Sequence, residues 1–262
     1  MKVLVTFALE SEFAPWRASR NFKSGRWGSA DVRFTTIGHA QVGVLITALG
    51  PSRARLESAK IVWGDFDPLN FCVSAGLAGS LRTNHGVGQV LVARNVFAKI
   101  TPLDTSSQSF PSSEALVAFA TECGATPVDR FYCTPRVIVR AEEKKLLGAS
   151  ADAVEMESFG VLQQAREFGV PAVAIRSISD AVNQTLPLDF NLALTSEGRL
   201  STARILAQLA IQPYALPGLM RLGRQSKQAA QSLCEFLDAF ILKVAETGRP
   251  LESKVSAASQ ST

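Results

Sequence analysis

A chain of 262 residues, 47% hydrophobic and 19% charged, is a globular sequence and not a disordered one; it is long enough for one large α/β domain or two small ones. Lysine and arginine exceed aspartate and glutamate by 27 to 23, a net charge of +4, which without a basic cluster argues against a nucleic-acid partner. Cys72, Cys123, Cys133 and Cys234 show no C-x-x-C spacing and are expected as reduced, buried thiols. The N-terminus MKVLVTFALESEF meets two glutamates where a signal peptide needs small residues, and no apolar run reaches membrane-spanning length, so a cytoplasmic protein is expected.

In chain order, KVLVTFAL (2–9) has the length and apolarity of a buried strand, followed by a short amphipathic turn from Glu12 to Ala18. The β-branched runs 31–38 and 41–50, split by Gly38 and His39, read as a hairpin. Pro51 then opens a helix that Gly64 closes. Strands are expected at 69–79 and 87–98, a Ser/Thr/Pro-rich surface loop from Thr101 to Ser113, a helix over 113–123, a strand at RVIVR (136–140) and a charged helix in AEEKKLLG. DAVEME is expected as a strand, SFGVLQQAREFG as a helix and VPAVAIRSISD as a strand; the alternation predicts a three-layer α-β-α sandwich around a mixed central sheet. A loop-rich bridge leads to helices at about 200–211 and 217–244. The expected organisation is a single domain over 1–244 with a disordered tail over 245–262.

Carboxylates gather at strand ends. Glu155 and Glu157 flank Met156 where a strand passes into a helix, Asp180 ends the next strand, and Glu12 follows the first. In open α/β sheets the carboxyl ends of the strands are where ligands bind, so three strand ends can bring these groups to one cleft. Each also has a plain reading: a solvated glutamate at a strand end, or, for Asp180, a helix cap or turn residue. SAGLAG (74–79) matches neither G-x-G-x-x-G nor G-x-x-x-x-G-K-[ST], which removes the dinucleotide and P-loop fingerprints. His39 and His85 stand in no ligand-like spacing, so neither metal nor cofactor is expected.

FALESEF, SAGLAGSL, VEMES and RSISD, in that order over roughly residues 1–185, resemble the motifs of the purine nucleoside phosphorylase and nucleosidase superfamily, and within it the methylthioadenosine/S-adenosylhomocysteine nucleosidases. The resemblance implies that Glu12 activates an attacking water and that Asp180 protonates the purine at N7. It implies that Glu157 with Met156 holds the ribose, and that Glu155, Ala75, Gly76, Leu77, Val137 and Ser179 line the substrate site. It also implies a homodimer in which a neighbouring copy closes the 5′ end of that site. The chemistry is consistent: breaking an N-ribosidic bond builds an oxocarbenium-like sugar, which carboxylates stabilise, and requires a proton on the departing base.

The chain departs from the nucleosidase pattern at Leu77 and Ser80, and Val137 stands where the pattern has phenylalanine. The C-terminal third, DFNLALTSEGRLSTARILAQLAIQPYALPGLMRLGRQSK onward, resembles hopanoid-associated phosphorylases, relatives that remove adenine from adenosylhopane; that resemblance makes adenosylhopane an alternative substrate. There Leu216, Leu219, Met220 and Leu222 alternate with Arg221, Arg224 and Lys227, a pattern for covering an apolar substrate tail, for peripheral contact with a membrane, or for a core-packing helix with a basic outer face. ALESE near the first strand lacks a phosphate-binding arginine, which favours water over phosphate as nucleophile; Arg53 at a helix start is the one cation that reopens the question. A non-catalytic nucleoside-binding protein remains the reading of another class.

Overall fold

The computed structural model describes residues 1–61, 63, 69–99 and 107–247. The apolar run KVLVTF forms β1 (Lys2–Phe7), and α1 (Glu10–Ser19) follows after two residues. β2 (Lys23–Trp27), β3 (Ala30–Ile37) and β4 (Ala40–Ile46) form an antiparallel meander in which Gly38 takes the positive φ of 54° that its turn requires. Then come α2 (Pro51–Ser58), β5 (Phe71–Ser80), β6 (Val90–Lys99), β7 (Ser107–Pro111), α3 (Glu114–Glu122) and β8 (Thr126–Cys133). The rest is α4 (Ala141–Leu147), β9 (Ala153–Glu155), α5 (Ser158–Glu167), β10 (Ala172–Asp180), α6 (Phe190–Ala193), α7 (Thr202–Ile211) and α8 (Leu216–Thr247).

The ten strands among the described residues form one mixed sheet in the order β10-β6-β8-β9-β5-β1-β4-β3-β2, with β7 paired to β6. β10 also pairs with β5, so β5, β10, β6, β8 and β9 close a ring while β1 to β4 continue as an open sheet. Both faces are buried, as continuous apolar strands require. Val3, Val5, Phe7, Val173 and Ile175 pack with Phe13 and Trp16 of α1, Leu116 of α3 and Leu237 of α8. Their neighbours Leu4, Cys72, Ala172 and Ala174 pack with Ala54 of α2 and Val161 and Leu162 of α5. α5 approaches α2 so closely that a Cβ on Gly160 would lie 2.0 Å from the Pro51 carbonyl oxygen; only glycine fits there. β1, β5 and β10 run parallel, so Phe7, Ser80 and Asp180 end on the same side of the sheet.

The mixed sheet with helices on both faces agrees with the sequence reading; several local expectations do not. RVIVR forms no strand. The Val137 backbone instead pairs with the Asn191 side chain, N–H to Oδ1 at 2.8 Å and carbonyl to Nδ2 at 3.0 Å, so a loop satisfies the groups a ladder would have used. Within the expected surface loop, residues 107–111 form β7, where pairing with β6 overrides a turn-like composition and Pro111 sits at the strand end; residues 101–106 lie outside the described residues. The helix opened by Pro51 stops at Ser58, and Gly64 also lies outside them. β2 and β8 were not expected; their polar sequences KSGRW and TPVDRFYC become strands through their neighbours.

α8 extends to Thr247, three residues into the expected tail, and the remainder of that tail lies outside the described residues. The core-packing reading of the 214–227 segment is corrected: Leu216 and Met220 are exposed, Leu219 and Leu222 only half-buried, and the first buried residue of α8 is Ala229. Among the described residues no helix is long and apolar enough to cross a membrane. All four cysteines are free thiols; Cys72, Cys133 and Cys234 are buried and Cys123 half-buried.

Candidate active site

The shared C-terminal side of β1, β5 and β10 opens into a cleft lined by Glu12, Leu77, Val137, Glu155, Met156, Glu157, Ser179 and Asp180, together with Lys144 and Leu186. Eight of the ten residues singled out from the sequence therefore meet. Ala75 and Gly76 do not line the cleft. Ala75 points into the core against β1 and α8, because alternation along β5 sends it to that face. Gly76 acts by its size: a Cβ there would lie 3.4 Å from Glu12 Oε1 and 3.5 Å from the Arg176 guanidinium carbon. Ala78 and Gly79 line the cleft in their stead, and a Cβ on Gly79 would reach within 3.0 Å of Asp180 Oδ2.

Glu12 sits in the first turn of α1. Its Oε2 accepts the backbone N–H groups of Ala8 and Leu9 at 3.0 and 3.1 Å, and its Oε1 accepts that of Leu77 at 3.0 Å, which ties the end of β1 to β5. Burial nevertheless raises its pKa, with the N–H donors and Arg176 acting in the opposite direction. Glu155 and Glu157 divide their work. Glu155 ends β9 and caps α5, its Oε2 accepting the N–H groups of Glu157 at 3.0 Å and Ser158 at 2.8 Å. Glu157 accepts the Gly50 N–H at 3.3 Å from the start of α2.

Arg176, which the sequence reading passed over, organises this cluster. It is wholly buried, and its Nη2 lies 2.5 Å from Glu155 Oε2 and 3.6 Å from Glu157 Oε2. Its Nη1 donates to the Ser74 carbonyl at 2.7 Å and the Ile175 carbonyl at 3.0 Å. Burial opposes its charge, yet Glu155, Glu157 and Glu12 outweigh that and raise its pKa. Three carboxyls facing one guanidinium leave two negative charges unmatched. The surplus falls on Glu157, whose pKa is pushed from 4.5 to about 8 by burial first and by Glu155 second, against the pull of Arg176. Among the described residues Arg176 Nε is buried with no hydrogen-bond partner.

At the other end of the cleft, Asp180 Oδ2 accepts from Lys144 Nζ, and Ser179 Oγ donates to Asp180 Oδ1 at 2.7 Å. Lys144 is buried despite its place in a charged helix, and it also donates to the Gln184 carbonyl at 2.9 Å and the Ala181 carbonyl at 3.3 Å. The sequence carried a signal for Arg176, an arginine in the middle of the apolar run AVAIRSI, which needs a buried counterion. For Lys144 it carried none, because AEEKKLL is equally the pattern of a solvated helix. Among the described residues no group of three or more His, Cys, Asp or Glu has metal-holding geometry.

The raised Glu157 pKa gives a measurable result. A carboxyl whose pKa is higher folded than unfolded contributes stability that is fully present below about 4.5 and is lost as pH rises through about 8. Glu157→Gln carries no such titration. Its melting temperature relative to the parent is therefore expected to climb between those pH values and level off above them; a difference flat in pH would reject the assignment.

A buried cluster of carboxylates, one guanidinium and a carboxyl held by lysine, at the carboxyl ends of parallel strands, defines an α/β protein with an acid–base cleft of enzyme type. The chain belongs to the phosphorylase superfamily, whose family model matches residues 2–210. A methylthioadenosine/S-adenosylhomocysteine nucleosidase of Shewanella halifaxensis is 25% identical over 231 residues, 80% of this chain and 99% of that protein. A nucleosidase of the same name from Shewanella sediminis is 32% identical over 123 residues, 47% of this chain and 52% of that protein. Among solved structures, the Helicobacter pylori nucleosidase of that name superposes with a TM-score of 0.70 at 18% identity, covering 93% of this chain and 98% of its own. The futalosine hydrolase of Helicobacter pylori strain 26695 matches with a TM-score of 0.70 at 19% identity, again covering 93% and 98%.

Proposed function

We propose that this protein is a nucleosidase that hydrolyses the N-ribosidic bond of a 5′-substituted adenine nucleoside, of the methylthioadenosine/S-adenosylhomocysteine kind, and releases adenine. The observation that carries the reading is one cleft holding two differently supported carboxyls: Glu12 in the buried Arg176 cluster and Asp180 on Lys144 and Ser179. Glu12 takes a proton from the attacking water, Asp180, protonated once substrate is bound, delivers its proton to N7 of the leaving purine, and the water oxygen bonds to the anomeric carbon as the C–N bond breaks. Glu157 and Met156 receive the ribose. Glu155, spent on capping α5 and holding Arg176, positions Glu157 rather than touching sugar. Leu77, Val137 and Leu186 give the cleft its apolar walls.

Water is preferred to phosphate on charge. Three carboxyls against one guanidinium repel a dianion, and Arg53, the cation that reopened the question, donates instead to the Ser196 carbonyl at 2.9 Å. The N-terminus of α2 receives Glu157 through Gly50. A bulky apolar 5′ group, as on adenosylhopane, is the second reading; it is favoured by Leu186, which lines both the cleft and an adjoining outer groove with Pro187 and Tyr214. The chain acts as a homodimer, an inference from the family resemblance. The free thiols fit a reducing, cytoplasmic setting.

The test is adenine released from 5′-methylthioadenosine in phosphate-free buffer. Release by the parent and its loss in Glu12→Gln are expected. Release only on adding phosphate would replace water by phosphate as nucleophile, and silence from folded protein under both conditions would sink the small-thioether substrate.

A further inference from the structure

Residues 194–228 are packed unlike the rest of the fold. α7 has no buried residue, and α8 has none before Ala229. Leu192, Leu206, Ile211, Tyr214, Leu216 and Met220 are six of the eleven exposed large apolar side chains among the described residues, gathered within 29 residues of sequence. Scattered exposed leucines need no partner; a concentration of this kind does. Ile211 and Tyr214, at 79% and 78% exposure, stand as free of the protein as side chains in an extended loop, although a helix and a helical turn carry them.

The charge of the same segment names the partner. Arg199, Arg204, Arg221, Arg224 and Lys227, all exposed, face a single carboxylate, Glu197. That excess of four equals the net charge of the entire chain, so the remaining residues balance and the net positive charge lies within residues 194–228. A second copy meeting this face across a two-fold axis would set like charge against like. Apolar side chains interleaved with cations are instead the composition of a surface that lies at the headgroup boundary.

We propose that α7, the turn after it and the start of α8 dock on an anionic lipid bilayer, with Leu206, Ile211, Tyr214 and Met220 entering the interface and Arg221, Arg224 and Lys227 meeting lipid phosphates. Docking would bring the mouth of the cleft to the membrane, since Leu186 lines both the cleft and the groove formed with Tyr214 and Arg221. Docking itself stands on exposure and charge; only its bearing on substrate supply rests on the nucleosidase reading.

The experiment is co-sedimentation of the full chain with vesicles of equal parts phosphatidylcholine and phosphatidylglycerol, against vesicles of phosphatidylcholine alone. Binding to the anionic vesicles that weakens with salt is expected. Arg221→Gln/Arg224→Gln/Lys227→Gln is expected to lower the partition coefficient on the order of a hundredfold, and Ile211→Glu/Tyr214→Glu to abolish pelleting. All five positions are exposed, and unchanged melting temperatures would certify the fold. No binding, or binding that neither variant weakens, would overturn the proposal. A dimer-to-monomer change in Ile211→Glu/Tyr214→Glu by light scattering would give the face to a second copy and overturn it equally. Adenine release, measured on the same proteins without vesicles, reports on the nucleosidase reading separately.

Discussion

Asp180→Asn is expected to lower turnover by about 10²–10⁴-fold while leaving binding of a non-hydrolysable adenine nucleoside intact. The amide keeps the shape of the carboxyl, and Ser179 can still reach it, but it has no proton to deliver to N7. The substitution also has a structural consequence. Lys144 is buried with Asp180 as its only carboxylate among the described residues, and the carbonyls of Ala181 and Gln184 do not neutralise it. Leaving such a charge unpaired costs about 3–5 kcal/mol. The double variant Lys144→Met/Asp180→Asn removes both charges and should recover that stability without recovering turnover, which separates the chemical role from the packing role. Full activity in Asp180→Asn would reject Asp180 as the acid.

Arg176→Met is expected to destabilise the fold as strongly as Asp180→Asn. Among the described residues the guanidinium is the one cation paired with Glu155 and Glu157, and without it two buried carboxyls stand against each other and against Glu12. A buried pair broken from one side loses about 3–5 kcal/mol, on the order of a 10 °C fall in melting temperature for a chain of this size. Arg176→Lys should recover part of it, because an ammonium restores the charge but not the fork that holds Glu155 and the Ser74 carbonyl together. Denaturant unfolding checks both; a loss below about 1 kcal/mol, the range of an exposed ion pair, would show that Arg176 does not hold the cluster together.

The sequence by itself determined the main strands and helices, the mixed sheet and most of the cleft. Apolar runs such as KVLVTF and AVAIRSISD have only one way to hide both faces, and the motifs around Glu12, Glu157 and Asp180 lie at strand ends, where position along the chain already implies position in space. What it left undecided depends on contacts between distant segments. β2 and β8 are strands because of their neighbours, RVIVR is a loop because Asn191 answers its backbone, and the β5–β10 pairing that closes the ring cannot be read from either strand alone. Only the tertiary structure turned Ala75 inward, gave Glu155 to the cap of α5, and buried Lys144 beside Asp180. Local pattern fixes which face a residue presents, but the partner that neutralises a buried charge is supplied by whichever segment the fold brings to it.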